Sequence, residues 1–248
     1  MPRLALIGRP LSHSFSKQYF ETKFSQLGLL NWQYDLWELD NIDALKSKIE
    51  LHSDLLGFNV TIPYKIQVIP MCNSLSEAAL SIGAVNCVKL IRNGNETLLH
   101  GENTDVQGFE ISLMNWYLKN SKRALVFGNG GAAKAALYVL NKMGIFFIQV
   151  VRTITAPNQI LFSELSEAVF ANSDLIINCT PIGMYPQTEN CLPINEAWIK
   201  SDHQYYDMVY NPLYTATMQL FANKGCSVKN GLEMLHLQAE KAWEIWNE

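Results

Sequence analysis

The sequence has little charge, and no long hydrophobic run. Charged residues make up 17% of the 248 residues, and the formal net charge is −4 with basic residues scattered along the chain. A nucleic acid is therefore not expected as partner, because binding a polyanion requires clustered positive charge. No apolar stretch approaches the roughly 18–20 residues of a membrane-spanning helix, and the N-terminus shows no signal-peptide pattern. We expect neither a nucleic-acid nor a membrane partner.

Cysteine and histidine are also sparse, with five of each. The cysteines are dispersed and odd in number, and none forms a CxxC pair, so neither a disulfide framework nor a zinc site is predicted. The histidines do not pair at metal-ligand spacing. Reduced thiols, a cytoplasmic location and no bound metal are therefore expected. Hydrophobic residues account for 48% of the sequence, and this length suits one large or two modest domains.

Hydrophobic patterning indicates alternating strands and helices in two halves. The first half has strand patterns over 3–8, 32–38 and 55–60, helical patterns around 15–28 and 41–52, and a hairpin whose turn is assigned to Asn93-Gly94. Later elements are a helix over about 106–118 that could bridge two domains, strands at 174–178 and 204–210, and a C-terminal helix from 231 that could pack on either half. This alternation predicts an α/β fold of two parallel sheet layers covered by helices.

Residues 123–153 predict a nucleotide-binding βαβ unit. Their order is an apolar run over 124–127, a turn with Gly128, Gly130 and Gly131, a helical segment and a second apolar run over 145–151. Glycines let the backbone approach a pyrophosphate, and the helix N-terminus offers free N–H groups. The third position of the fingerprint is Ala133. The strand–turn–helix context therefore favours dinucleotide binding over a plain connecting turn.

Arg152 ends the second strand of this unit, where the residue beside the adenine ribose selects the cofactor. An acidic residue at that position binds a free 2′-hydroxyl, whereas an arginine fork binds a 2′-phosphate. The next carboxylate after Arg152 is Glu164. The position therefore favours NADP over NAD, against the alternative of a solvent-facing arginine at a strand end.

Four segments outside the βαβ unit are dense in hydrogen-bonding side chains. They are SHSFSK with Ser12, Ser14 and Ser16, NVTIPYK from residue 59 to 65, VN at 85–86, and GENTD from 101 to 105. Each has a structural explanation when taken alone, because Ser and Asp before helices are usually N-caps. Together they favour a site that holds a polar substrate and exchanges a proton with an alcohol oxygen during hydride transfer.

Nine ordered segments resemble those of the shikimate dehydrogenase family over nearly the whole chain. They are GRPLSHSFS, NVTIPYK, GAVN, ENTDVQGF, GNGGAAKA, VRT, NCTPIGM, DMVYNPLYT and GLEMLHLQA. The resemblance implies two α/β domains flanking a cleft: a substrate-binding domain of residues 1–104 completed by the helix 231–248, and a Rossmann-type NADP-binding domain of residues 105–230. It implies reversible, NADPH-dependent reduction of 3-dehydroshikimate to shikimate in the pathway to chorismate and aromatic amino acids.

The resemblance also implies roles for individual residues. Lys65 is the implied catalytic residue, which stabilises the reacting oxygen and gives it a proton, with Asp105 as its partner. The implied substrate contacts are Ser14, Ser16, Asn59, Thr61, Asn86, Tyr210 and Gln238. The implied cofactor contacts are Gly128, Asn129, Gly130, Gly131, Ala132, Arg152, Thr153, Thr180, Met208 and Gly231.

Four positions depart from the family's usual pattern. Lys17 stands in place of a proline, Val151 in place of an asparagine, and Glu233 in place of a glycine near the nicotinamide. Ala156 replaces a second arginine, which weakens the expected 2′-phosphate site. An NAD-dependent quinate/shikimate dehydrogenase is therefore an alternative, and the fold also allows a non-catalytic metabolite-binding regulator. The sequence leaves open whether the protein is a monomer or a homodimer.

Overall fold

The computed structural model describes residues 1–11, 14–94, 96–117 and 123–248, which form two compact units. The first unit comprises Met1–Thr104 and Ala239–Glu248, and the second comprises Asp105–Gln238. Each unit contains one six-stranded sheet together with helices. The α/β fold class predicted from the alternating pattern is confirmed.

The sheet of the first unit mixes parallel and antiparallel pairs. Its strands are β1 (Arg3–Gly8), β2 (Gln33–Glu38), β3 (Leu55–Val60), β4 (Ser74–Leu75), β5 (Cys87–Asn93) and β6 (Glu96–Glu102), in the spatial order β2-β1-β3-β5-β6-β4. Its helices are α1 (Phe15–Gln26), α2 (Ala44–Leu51) and α3 (Glu77–Ile82). Strand β5 runs antiparallel to both β3 and β6. The expectation of a parallel layer is therefore wrong for β5, which pairs antiparallel with β6 through the predicted hairpin and antiparallel with β3 as well.

The turn of that hairpin does not include Asn93, contrary to the prediction from the sequence. Asn93 pairs with Glu96 across β5 and β6, so Asn93 belongs to the strand. Gly94 follows with φ +61°, a left-handed conformation that glycine adopts without strain. Asn95 lies outside the described residues. The sequence favours a turn at Asn93-Gly94 because Asn-Gly is the strongest short hairpin signal, whereas the pairing of β5 with β6 extends the strand through Asn93.

The second unit has a wholly parallel sheet in the Rossmann strand order. Its strands are β7 (Arg123–Phe127), β8 (Phe146–Val151), β9 (Gln159–Leu161), β10 (Leu175–Asn178), β11 (Gln204–Asp207) and β12 (Ser227–Lys229), in the spatial order β12-β11-β10-β7-β8-β9. The helices are α4 (Thr104–Met114), α5 (Gly131–Lys142), α6 (Glu167–Ala171), α7 (Ala216–Asn223) and α8 (Leu232–Asn247). The first residue of α4, Thr104, is the last residue of the first unit's N-terminal segment. The order reverses between β7 and β10, where open α/β sheets bind their ligands at the carboxyl ends of the strands.

Apolar residues alternate between two core clusters of the first unit along β1. Ala5 and Ile7 belong to one cluster, and Leu4 and Leu6 belong to the other, as expected for a strand covered on both faces. The second cluster also contains side chains of α8, namely Ala239, Ala242, Ile245 and Trp246. The last part of the C-terminal helix therefore completes the core of the first unit.

Candidate active site

Asn59 and Asn86 lie in one buried hydrogen-bond network of the first unit. The Tyr34 hydroxyl donates to Asn59 Oδ1 at 2.7 Å, and Asn59 Nδ2 donates to the Asn86 carbonyl at 3.3 Å. Asn86 Oδ1 accepts from the Thr104 backbone N–H at 2.7 Å, and Asn86 Nδ2 donates to Thr104 Oγ1 at 3.0 Å. Both asparagines are buried. The network fixes the end of β3 and the entry to β5, because buried polar groups are held by their hydrogen bonds.

Ser14 and Ser16 lie at the start of α1. Ser14 precedes the helix with φ −69° and ψ 121°, and its hydroxyl forms no capping hydrogen bond to the described residues. The capping explanation therefore does not apply to Ser14. Burial raises the pKa of the Tyr34 phenol well above its ordinary value, and a hydrogen bond with Ser16 opposes that rise. The protonated phenol thus joins Ser16 to Asn59. Ser12, from the same predicted segment, lies outside the described residues.

Lys65 is half-buried in the turn that follows β3. Its carbonyl accepts from the Val85 N–H at 2.8 Å, which holds this turn against the segment that carries Asn86. Thr61, at the start of the same turn, packs over the end of β1. A Cβ atom at Gly8 would lie 2.3 Å from Thr61 Cγ2. Glycine at position 8 therefore makes room for the turn that bears the predicted catalytic lysine.

Asp105 is buried in the first turn of α4. The positive end of the helix dipole stabilises a carboxylate at that position. The preceding Asn103 donates from Nδ2 to the Ala84 carbonyl at 2.9 Å. Together with the bonds between Asn86 and Thr104, this contact ties the segment before α4 to residues 84–86. The described residues thus bring Ser16, Asn59 and Asn86 into one network, whereas Tyr210 and Gln238 belong to the second unit.

The glycine turn between β7 and α5 combines a close backbone approach at Gly128 with open space at Gly130. Gly128 has φ +105°, and a Cβ atom there would lie 3.1 Å from the Cys179 carbonyl oxygen. Gly130 is the N-cap of α5, and a Cβ atom there would meet no described heavy atom within 4 Å. The first-turn N–H groups of α5 have no acceptor within the helix. This opening fits a pyrophosphate, and the predicted residues Asn129, Gly131 and Ala132 belong to the same turn and helix start.

Arg152 and Thr153 follow the last residue of β8, and both are exposed. This end of β8 is adjacent to the end of β7, where the residue that selects the cofactor is expected. Val151 is buried in the sheet, so the side chain that departs from the family pattern packs in the core. Ala156 is exposed and brings no charge to the loop. Arg152 therefore carries the positive charge expected at this strand end.

Thr180 is held in the loop after β10 by Asn178. Asn178 Oδ1 accepts from the Thr180 hydroxyl at 2.6 Å and from its N–H at 2.9 Å, while Asn178 Nδ2 donates to Asp207 Oδ1 at 3.0 Å. Asp207 also accepts from the hydroxyls of Tyr205 and Thr215. Burial raises the pKa of Asp207, and these donors oppose the rise. Asn178 and Asp207 are not among the residues predicted from the sequence, although each is a polar residue at the end of an apolar strand.

Met208 and Gly231 approach each other through their backbones. A Cβ atom at position 231 would lie 2.2 Å from the Met208 carbonyl oxygen. The Gly231 N–H also donates to the Val209 carbonyl at 3.1 Å. Glycine at 231 therefore allows the loop after β11 to lie against the start of α8. Tyr210, in the same loop, is half-buried, and this burial raises its pKa.

Gln238 lies where α8 packs closely on α4. A Cβ atom at Gly108 would lie 2.8 Å from the Met234 carbonyl oxygen and 3.0 Å from the Gln238 backbone nitrogen. The Gln238 Nε2 donates to the Leu235 carbonyl at 2.9 Å. The glycine in ENTDVQGF thus lets the two helices meet at the predicted substrate contact.

Glu233 joins three elements of the second unit, which explains why a charged residue is tolerated there. Its Oε1 accepts from Asn115 Nδ2 at 2.7 Å, its Oε2 accepts from Ser112 Oγ at 3.2 Å, and it forms an ion pair with Lys229. Partial burial raises the pKa of Glu233, but these partners outweigh it, so the pKa lies below its ordinary value. The carboxylate connects the end of α4, the strand β12 and the first turn of α8.

The five cysteines are free thiols. Burial raises the pKa of Cys72 to about 11, so this thiol is protonated at neutral pH. In the part of the chain that the structure describes, no three His, Cys, Asp or Glu side chains are grouped to hold a metal ion. The helices of that part are all too short or too polar to cross a membrane.

Comparison with known proteins gives consistent matches. The family described as "Shikimate dehydrogenase substrate binding domain" matches residues 6–88. The chain is 38% identical to the shikimate dehydrogenase (NADP(+)) of Clostridium beijerinckii, over 98% of this chain and 91% of that protein. It is similar to a crystal structure of a shikimate dehydrogenase in complex with NADP+, with a TM-score of 0.85, 28% identity and coverage of 99% and 90% of the two chains. The shikimate 5-dehydrogenase of Listeria monocytogenes, crystallised with shikimate and NAD, gives a TM-score of 0.87 at 25% identity, covering 100% and 92%.

Proposed function

The chain belongs to the shikimate dehydrogenase family, and from this premise we propose that its two units divide one reaction, the first holding the substrate and the second the nicotinamide cofactor. The reaction is the reversible reduction of 3-dehydroshikimate to shikimate with NADPH. One observation carries the proposal: this chain has the Rossmann strand order in its second unit and the buried network around Asn59 and Asn86 in its first unit.

NADP fits the residues around the glycine turn. The open space at Gly130 and the N–H groups of α5 would receive the pyrophosphate. Arg152 and Thr153 would hold the 2′-phosphate, since a guanidinium fork matches its oxygens. The residues toward the nicotinamide would be Thr180, Met208 and Gly231. When bound, the cofactor supplies the hydride that the carbonyl carbon accepts.

The substrate contacts combine hydroxyl and amide groups. The hydroxyls of Ser14, Ser16 and Tyr210 would donate to the substrate carboxylate, while the amides of Asn59 and Asn86 suit hydroxyls because an amide both donates and accepts. The other proposed contacts to the ring hydroxyls are Thr61 and Gln238. Tyr34 and Thr104 hold the two asparagine side chains in place, because each donates a hydrogen bond to one of them.

Lys65 would act on the reacting oxygen. As the hydride reaches the carbonyl carbon, the Lys65 ammonium stabilises the negative charge on the oxygen and donates a proton to it, which yields the alcohol. In the opposite direction the neutral amine accepts that proton. Asp105, proposed as the partner of Lys65, would balance its charge.

The activity is tested by following the absorbance of reduced nicotinamide with purified protein, shikimate, and NADP or NAD in parallel. We expect turnover with shikimate that is faster with NADP. Turnover of quinate with NAD alone would favour the alternative dehydrogenase, and binding of shikimate without any turnover would favour the non-catalytic regulator.

Lys65→Ala tests the proposed chemistry. General acid–base groups contribute about 10²–10⁴-fold to rate, so kcat should fall by that factor while shikimate still binds, as measured by calorimetry. Lys46→Ala is the matched control, because Lys46 is an exposed lysine of α2 in the same unit. Wild-type turnover in Lys65→Ala would remove this lysine from the reaction.

A further inference from the structure

Two glutamines connect the glycine turn of the second unit to the next strand of the sheet. Gln149, in β8, is buried, and its Nε2 donates to the Gly128 carbonyl at 2.6 Å. Gln159, the first residue of β9, donates from Nε2 to Gln149 Oε1 at 2.6 Å. Two side-chain amides in series thus link Gly128 to the start of β9.

The same Gln159 closes the loop between β8 and β9. Its Oε1 accepts from the N–H of Thr155 at 2.7 Å and from the N–H of Ala156 at 3.0 Å, and the Thr155 hydroxyl lies 3.3 Å away. The Gln149 N–H donates to the Asn158 carbonyl at 2.8 Å. One carboxamide oxygen therefore gathers consecutive N–H groups of a loop that runs from 152 to 158.

The position of this loop matters because it begins with Arg152 and Thr153. Residues 152–158 are all exposed, and an exposed segment has a large conformational freedom to lose when it binds a ligand. Holding a loop in its bound conformation removes that cost and strengthens binding. A guanidinium also needs a fixed orientation to bind phosphate through two parallel hydrogen bonds.

We infer that Gln149 and Gln159 are positioning residues for the adenosine 2′-phosphate: they hold the loop 152–158 in a fixed place relative to the pyrophosphate turn. The inference rests on the proposed function, in which Arg152 binds that phosphate. Position 156 carries alanine and adds no charge. The preference for NADP in this chain therefore depends on a loop held in place as well as on a single guanidinium.

The test compares the binding of 2′,5′-ADP and 5′-AMP to the full chain by isothermal titration calorimetry. The two probes differ only in the 2′-phosphate and carry no nicotinamide, so the readout does not depend on turnover. We expect Gln159→Met to weaken 2′,5′-ADP by about tenfold, the scale of coupling between neighbouring groups, and 5′-AMP by no more than about twofold. Gln149→Met should act in the same direction. Gln219→Met is the matched control, since this exposed glutamine of α7 donates to Asn223.

Arg152→Ala separates the inference from the proposed function. If Arg152→Ala leaves the ratio of the two affinities at the wild-type value, the proposed phosphate site is wrong. If Arg152→Ala removes the preference for 2′,5′-ADP but Gln159→Met keeps it, only the positioning role is overturned. In the Arg152→Ala background, Gln159→Met should cause no further loss of that preference.

A purely structural effect has a different signature. Equal weakening of both probes by Gln159→Met would indicate general destabilisation of the unit and would overturn the inference. Thermal unfolding and far-UV circular dichroism establish that each variant is folded. Gln159 is less buried than Gln149. Gln159→Met therefore still tests the inference if Gln149→Met does not fold.

Discussion

Tyr34 illustrates how one buried hydroxyl organises a set of site residues. Its ring stacks on Phe20 with centroids 4.7 Å apart, and its hydroxyl links Ser16 to Asn59. Tyr34→Phe keeps the ring but leaves Asn59 Oδ1 without this donor. An unsatisfied buried acceptor costs about 1–3 kcal/mol, so we expect the free energy of unfolding in urea to fall by that amount.

The control for this substitution is Tyr214→Phe, because Tyr214 is 46% exposed. That variant should unfold at the wild-type urea concentration. Equal stability of Tyr34→Phe and wild type would show that the Tyr34 hydroxyl contributes nothing to the network.

At the residue scale, the side chains proposed to contact ligands are easier to predict from the sequence than the side chains that hold them in place. Asn59 and Asn86 stand in motifs whose resemblance to a family suggests substrate binding, and their roles stay predictions until variants are measured. Tyr34 was missed because a tyrosine in a strand pattern is equally consistent with an apolar contact. Gln149 is a lone amide in the apolar run FFIQVV, and its partner Gln159 is ten residues away in a strand too short to recognise.

At the scale of elements, Gly231 and Gly130 allow a comparison between a glycine in close contact with the backbone of another element and a glycine beside open space. Gly231→Ala would place a Cβ atom 2.2 Å from the Met208 carbonyl oxygen, whereas Gly130→Ala would meet no described atom within 4 Å and has a φ of −75°. We expect Gly231→Ala to lower the free energy of unfolding by about 1–3 kcal/mol, as overpacking does. Gly130→Ala should change it by less than about 0.5 kcal/mol but weaken NADP binding, because its methyl group would enter the space proposed for the pyrophosphate.

Urea unfolding and calorimetric titration with NADP measure both effects. A stable Gly231→Ala protein would show that the loop after β11 moves freely away from α8. Undiminished NADP affinity in Gly130→Ala would place the pyrophosphate elsewhere.

The junction of α4, β12 and α8 at Glu233 should depend on pH. The pKa of Glu233 in the folded protein lies below its ordinary value of 4.5. Its stabilising contribution is therefore complete above the unfolded pKa and is lost as the pH falls through the folded pKa. From pH 6 to pH 3.5, wild type should lose more unfolding free energy than Glu233→Gln. The control is Glu244→Gln, whose carboxylate is 57% exposed beside Lys241, and parallel curves for wild type and Glu233→Gln would contradict the prediction.

Long, strongly patterned elements were predicted well, and short ones were not. The bounds of β1 and β3 agree with the predicted 3–8 and 55–60, and the βαβ unit is confirmed. The strands β4, β9 and β12 have two or three residues, which is too few for a period of two to be recognised.

Tertiary contacts explain the errors at element ends. The predicted strand 204–210 stops at Asp207, because Asp207 Oδ1 accepts from the Val209 N–H at 3.0 Å and turns the chain. The helix predicted over 106–118 begins at Thr104, whose N–H is bound by Asn86, and ends at Met114. Leu118 lies outside the described residues.

At the scale of the molecule, the first unit depends on residues distant in sequence. Trp246 is buried, and its Nε1 donates to the Val88 carbonyl at 3.0 Å. A Cβ atom at Gly57 would lie 2.2 Å from Trp246 Nε1, so glycine at position 57 makes room for the indole ring. Trp246→Ala should therefore reduce the free energy of unfolding by about 3–5 kcal/mol, measured in urea. Leu30→Ala, at a side chain that is 87% exposed, should have no such effect. A small change in Trp246→Ala would mean that the core closes without the helix.

The split of the first unit into two sequence segments has a consequence for how the protein is made. Residues 1–104 emerge from the ribosome before the rest of the two units, yet the core of the first unit also needs Ala239, Ala242 and Trp246. At about 5–20 residues per second, translation of the intervening segment takes on the order of ten seconds. During that interval the nascent first unit lacks the apolar side chains that α8 contributes to its core. The second unit is one continuous segment and can fold as soon as its own translation ends. The unit whose synthesis begins first is therefore completed after the second unit.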